Sequence, residues 1–89
     1  MNLEKIRNDI DQIDEKIVQL LEIRMNLIQE VVKTKQTQEL RVLDDSREQT
    51  ILQKVQNSVQ NPAYRPTIVN TYKDIMKNSR DYQKNFLKK

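Results

Sequence analysis

Apolar residues recur at alternating spacings of three and four from the start of the chain: Leu3, Ile6, Ile10, Ile13, Ile17, Leu20, Leu27 and Val31. This is the stripe of a helix packed along its length against other helices. The count places position 24 in the same stripe, and Arg24 stands there. A guanidinium keeps its charge, so burying it without a partner is very costly. Either a carboxylate of the protein meets Arg24 or the bundle holds an anionic ligand. Two later stretches repeat the anomaly. Glu48 heads the face Glu48, Ile51, Leu52, Val55, Val59, and Ser79 and Gln83 interrupt the face Tyr72, Ile75, Met76, Ser79, Gln83, Phe86. Local breaks of this kind in an otherwise consistent pattern tend to mark function.

The pattern predicts three helices and no strand, an all-α fold. The first runs from residue 3 to about 38, with Asn2 as its N-cap and no Pro or Gly inside it. Periodicity weakens over Gln36 to Leu43, which reads as a bend. Asp45-Ser46-Arg47-Glu48 then resembles a capping box, an acidic cap with Glu three residues later. The second helix should end near Ser58. Asn61-Pro62 and Arg65-Pro66 bracket a short loop, and Pro66 suits the first turn of a third helix reaching about Phe86.

The first helix constrains the assembly. About 36 residues at roughly 1.5 Å each make a rod of ~54 Å. A compact chain of this length has a radius of gyration of only about 12 Å. Three helices of one chain cannot cover such a rod, so the seam should meet a second copy. The simplest arrangement is an antiparallel, intertwined homodimer.

Composition narrows the chemistry. The 89 residues suit one small domain spanning 1–89, and an apolar content of 36% leaves little for a core. With no Cys and no His, disulfides, thiolates and Ser-His or Cys-His nucleophilic catalysis are excluded. The absence of Gly removes any phosphate-cradling loop. Neither a metal nor a cofactor is expected. The opening MNLEKIRNDI is charged and amphipathic, unlike a signal peptide or membrane span, so a cytoplasmic location is expected. The net charge of +3 is scattered apart from Lys84, Lys88 and Lys89, which fits an anionic small molecule as well as nucleic acid. Neither nucleic acid nor a membrane is the expected partner.

Several polar groups fall on compatible faces. Arg24 and Lys35 are eleven residues apart, about three turns and roughly 16 Å along one face. Arg7 precedes Arg24 by 17 residues, about 25 Å, so only a partner chain's Arg7 can approach it. Asp44, Arg47 and Glu48 share the start of the second helix, and Ser79 lies one turn from Gln83. Singly, each has a plain structural account. Arg7 and Lys35 suit a solvated surface, Arg47 can pair with Asp44, Asp44 and Asp45 can serve as caps, Ser79 is tolerable in a helix interface, and Gln83 can fix bundle register. As a set they resemble a preorganised polar pocket in a helical bundle.

The ordered set of motifs resembles the all-helical chorismate mutases over nearly the whole chain. It comprises IRNDIDQIDEKIVQLLEIRMNLIQEVVKTK, with I-D-x-x-I-x-x-L-L-x-x-R and then V-x-x-x-K. VLDDSREQTIL follows, with D-x-x-R-E, and then IMKNSRDYQ, with S-x-x-x-Q. The resemblance implies an intertwined homodimer of three-helix chains with two active sites shared between chains. It also implies rearrangement of chorismate to prephenate, on the route to phenylalanine and tyrosine, without metal or cofactor. By position, Arg24 and the partner's Arg7 would clamp the two substrate carboxylates. Lys35 and Gln83 would donate to the ether oxygen. Glu48 would hold the ring hydroxyl with Asp44 close by, Ser79 would contact a carboxylate, and Arg47 would order the acidic cluster. Val31, Ile51 and Met76 would form the apolar wall.

The chain departs from the family pattern in Arg80, where an aliphatic is common, in Val32, where a small residue is frequent, and in a linker QTQELRVL without glycine. Two other readings compete. Isochorismate pyruvate lyases share the fold and the basic residues of helix one, but usually lack the D-x-x-R-E pattern held here by Asp44, Arg47 and Glu48. A non-enzymatic helical dimer gives no reason for Arg24, Glu48 and Gln83 on apolar faces.

Overall fold

A computed structural model describes residues 2–38 and 44–87; the side chains of residues 35–38 and 87 lie outside the description. The chain is all-α, with α1 over Leu3–Gln38, α2 over Asp45–Ser58 and α3 over Arg65–Leu87. The predicted bend falls largely outside the described residues, and positions 36–38 still belong to α1.

Local signals explain each boundary. The Asn2 side-chain oxygen accepts from the backbone N–H of Glu4 at 3.0 Å and of Lys5 at 3.3 Å, so Asn2 caps α1. The cap of α2 lies one residue earlier than the capping-box reading placed it. Asp44 has an extended backbone, and its Oδ1 accepts from the Arg47 N–H at 3.0 Å. Asp45 is then the first helical residue, and Glu48 is left to turn elsewhere. The loop after α2 contains a 3-10 turn over Pro62–Tyr64 that the sequence pattern did not predict. Asn61, held extended before Pro62, accepts from the Ala63 N–H at 3.0 Å. Arg65 reaches back and donates through Nη2 to the Val59 carbonyl at 3.2 Å, closing the loop onto the end of α2.

Packing is organised by α3, which lies against both α1 and α2. Among the described residues α1 and α2 make no close backbone approach to each other. The face that α1 turns to α3 is Leu21, Met25, Ile28 and Val32, with Val32 fully buried. This stripe lies roughly 100° round the helix from Leu20, Leu27 and Val31. The stripe read from the sequence is therefore a second apolar face, and it is exposed in the single chain. Leu20 is 65% exposed and Leu27 58%, and every described residue from 2 to 20 is exposed.

Between the helices the interior is small. Val32 and Met76 are the buried apolar side chains among the described residues, and Ser79 and Gln83 are buried beside them. The chain measures 54 × 25 × 15 Å with a radius of gyration of 16.2 Å, well above that of a compact chain of its length.

Met76 sits at the centre of this small interior, which predicts an uneven response to truncation. Met76→Ala should destabilise the fold by about 2–5 kcal/mol, whereas volume-conserving Met76→Leu should cost less than about 1.5 kcal/mol. Urea unfolding at fixed protein concentration measures both.

Candidate active site

The missing α1–α2 contact is filled by a cavity of about 330 Å³ floored by α3. Helix α1 supplies Arg24, Ile28 and Val31, and Asp44 stands at the entrance to α2. Helix α2 adds Arg47, Glu48 and Ile51. Helix α3 contributes Met76, Ser79, Arg80 and Gln83, whose spacing of three, one and three sets them on one face. The size falls in the range of small-molecule sites, about 300–1,000 Å³.

Arg24 is half-buried, and its guanidinium lies over the Tyr72 ring at 5.9 Å from the centroid. An aromatic face attracts a cation while leaving its N–H donors free to bond in the ring plane. The ion pairs among the described residues are Lys5–Asp9, Lys77–Asp81 and Arg80–Glu48, so no carboxylate described here meets Arg24. Of the two expectations for this residue, a carboxylate of the protein is not met among the described residues.

The floor of the cavity on α3 is polar and buried at Ser79 and Gln83. Gln83 and Ser79 are only 5% and 4% exposed, as covered as the apolar core, and Gln83 Nε2 donates to Ser79 Oγ at 3.4 Å. Buried amides and hydroxyls are almost always hydrogen-bonded, because an unmet one costs about 1–3 kcal/mol. Glu48 is partly buried and accepts from Arg80 Nη1. Asp44 uses Oδ1 as the helix cap. Three arginines thus face two carboxylates around an apolar wall of Val31, Ile51 and Met76, an environment that favours a small anion carrying apolar surface.

Six of the eight residues singled out by sequence, Arg24, Asp44, Arg47, Glu48, Ser79 and Gln83, line this one cavity. Lys35 lies on α1 with its side chain outside the described residues. Arg7 is exposed on the far N-terminal part of α1 and does not line the cavity of its own chain. Sequence reasoning did not single out Ile28 or the pairing of Arg80 with Glu48. The spacing Leu21, Met25, Ile28, Val32 carried the signal for Ile28. No local signal joins residues 48 and 80.

A second groove, of about 770 Å³, adjoins the first, and Arg47 and Ile51 line both. Its walls are Val55 of α2, Val59 at the C-cap of that helix, and Ile68 and Tyr72 of α3, with Tyr64 of the connecting loop beside them. It is largely apolar and opens to solvent beside the cavity, with Tyr64 60% exposed.

Comparison with curated proteins gives no match. The profile of one protein family does match, over residues 6–84, and it takes in all of α2, most of α1 and α3, and each residue that lines the cavity. That family is chorismate mutase type II, and the chain, an all-α protein with its polar residues gathered between three helices, belongs to it.

Proposed function

We propose that the chain catalyses the rearrangement of chorismate to prephenate, in phenylalanine and tyrosine biosynthesis, as a homodimer whose two sites each draw on both chains. The observation that carries this reading is the cavity. Cations, carboxylates, a hydroxyl and an amide from all three helices meet around an apolar wall in a space of small-molecule size.

The reaction breaks the C–O bond of an enol ether while a C–C bond forms within the same molecule. No atom enters or leaves, so no nucleophile is required, in keeping with a chain without Cys or His. The protein has two tasks: to hold the flexible enolpyruvyl arm folded over the ring, and to meet the negative charge that grows on the ether oxygen. Arg24, with Arg7 of the partner subunit, clamps the carboxylates, and Ser79 adds a donor to one of them. Gln83 and Lys35 donate to the ether oxygen. Glu48 accepts from the ring hydroxyl beside Asp44, and Arg47 orders the acidic cluster. Losing one such donor typically costs about 3–4 kcal/mol in barrier.

The second copy has a physical warrant. Ten large apolar side chains of α1, from Leu3 to Val31, are exposed in the single chain. Each is worth about 1.5–3 kcal/mol when fully covered. The apolar groove of α2 and α3 is a surface of matching character. An antiparallel α1 of a second chain laid along it would carry the partner's Arg7 toward Arg24.

Three outcomes test the reading. Purified protein should consume chorismate in an ultraviolet assay, and sedimentation at micromolar concentration should give about twice 10.7 kDa; an active, compact monomer counts against shared sites.

Arg7→Ala and Arg24→Ala should each be nearly inactive as homodimers. Unfolding and remixing them should restore part of the activity, because a heterodimer assembles one intact site and one doubly damaged site. Absence of recovery, with heterodimers shown to form, places Arg7 outside the shared site.

The third outcome concerns pH. Gln83 donates without being protonated, whereas a glutamate donates only as the neutral acid. Gln83→Glu should therefore be poor at neutral pH and recover as pH falls toward the ordinary carboxyl range, about 4.3. Gln83→Ala should lose about 100–1,000-fold without acid recovery. The measurement is kcat/KM against pH over the range in which circular dichroism shows each protein folded. A glutamate variant that tracks the parent protein removes Gln83 from the ether oxygen.

A further inference from the structure

Arg80 is the charged cavity residue that the reaction chemistry leaves without a task. It lines the cavity wall on α3, and its Nη1 donates to Glu48 Oε1 on α2. The other two described ion pairs, Lys5–Asp9 and Lys77–Asp81, are exposed and one turn apart on a single helix. Pairs of that kind contribute little and fasten nothing. Arg80–Glu48 differs in each respect: it joins two helices, its side chains are only 25% and 20% exposed, and both members face the site.

The geometry bears on what Glu48 can do. A carboxylate offers about four lone-pair positions on two oxygens. Arg80 occupies a position on Oε1. Oε2 takes part in no hydrogen bond or ion pair among the described residues, whereas Asp44 already uses Oδ1 to cap α2. A planar guanidinium approaching from the facing helix restricts the terminal torsion of Glu48, which is otherwise broad. The carboxylate then reaches a ligand already oriented, and the cost of ordering it falls outside the binding step.

We propose that Arg80 is a positioning residue: by holding Glu48 from the opposite wall of the cavity, it sets the site's selectivity for a ligand that carries a hydroxyl group. This rests on the reading of the cavity as a chorismate site, with Glu48 as the acceptor for the ring hydroxyl.

The test uses two bicyclic ether dicarboxylates, alike except that one carries the ring hydroxyl and the other a hydrogen, titrated calorimetrically into the full-length protein. The parent protein should prefer the hydroxylated probe by about tenfold or more, as expected for a hydrogen bond to a charged group. R80M should reduce that preference to about threefold or less, with affinity for the deoxy probe kept within about threefold of the parent. R80K keeps the charge without the planar fork and should retain part of the preference. In an E48Q background, R80M should change the preference little further, since the two residues act as one unit. An undiminished preference in R80M, or an equal loss for both probes, overturns the assignment. Should circular dichroism show R80M unfolded, R80K decides: a preference equal to the parent's overturns the proposal, and one lowered by about threefold supports it. Parent protein that binds neither probe and leaves chorismate unchanged overturns the mutase reading itself, and the proposal with it.

Discussion

A helix of 36 residues extends about 54 Å, yet α3 reaches only the part of α1 from about Leu21 onward. The remaining half carries Leu3, Ile6, Ile10, Ile13, Ile17 and Leu20, all exposed. Isolated apolar side chains on a surface are ordinary, but a continuous stripe along a helix of this length is not. The geometry of α1 therefore governs the rest of the molecule. It separates one apolar face for the chain's own α3 from another that the described residues leave exposed, and it sets Arg24 between the two.

That position gives Arg24 its character. One side of the residue borders the stripe that packs on α3, and the other borders the open stripe. The cation is half-buried, steadied by the face of Tyr72, and opens onto a space that α1 and α2 leave between them. A charge held in this way by an aromatic ring stays available to an incoming anion, whereas a carboxylate partner would have to be displaced first. The same logic extends to the floor of the cavity. Ser79 and Gln83 are as buried as the core, and the hydrogen bond from Gln83 to Ser79 pairs polar groups that burial has taken from water.

The Arg80–Glu48 pair brings a second kind of preorganisation. The cavity arginines outnumber its carboxylates by one, and Arg80 is tied to Glu48. Of the cations that line the cavity, Arg24 and Arg47 form no ion pair with a described carboxylate. The link joins α2 to α3 through two residues 32 apart in sequence.

Much of this was legible in the sequence because it depends on local chemistry. Helix extents follow from caps and prolines a few residues away, so Asn2, Ser58 and Pro66 marked boundaries that the structure keeps within a residue or two. Arg24, Glu48, Ser79 and Gln83 stood out because each interrupts an apolar period. Tertiary structure alone decided what two equally good local signals could not. Asp44 and Asp45 are adjacent carboxylates, and only the path of the chain into α2 makes the first of them the cap. The stripes through Leu20–Leu27–Val31 and Leu21–Met25–Ile28–Val32 have the same period, and only the approach of α3 determines which is covered. The pairing of Arg80 with Glu48 has no local trace, because a contact between two helices depends on where their axes lie, and periodicity along one helix carries no information about that.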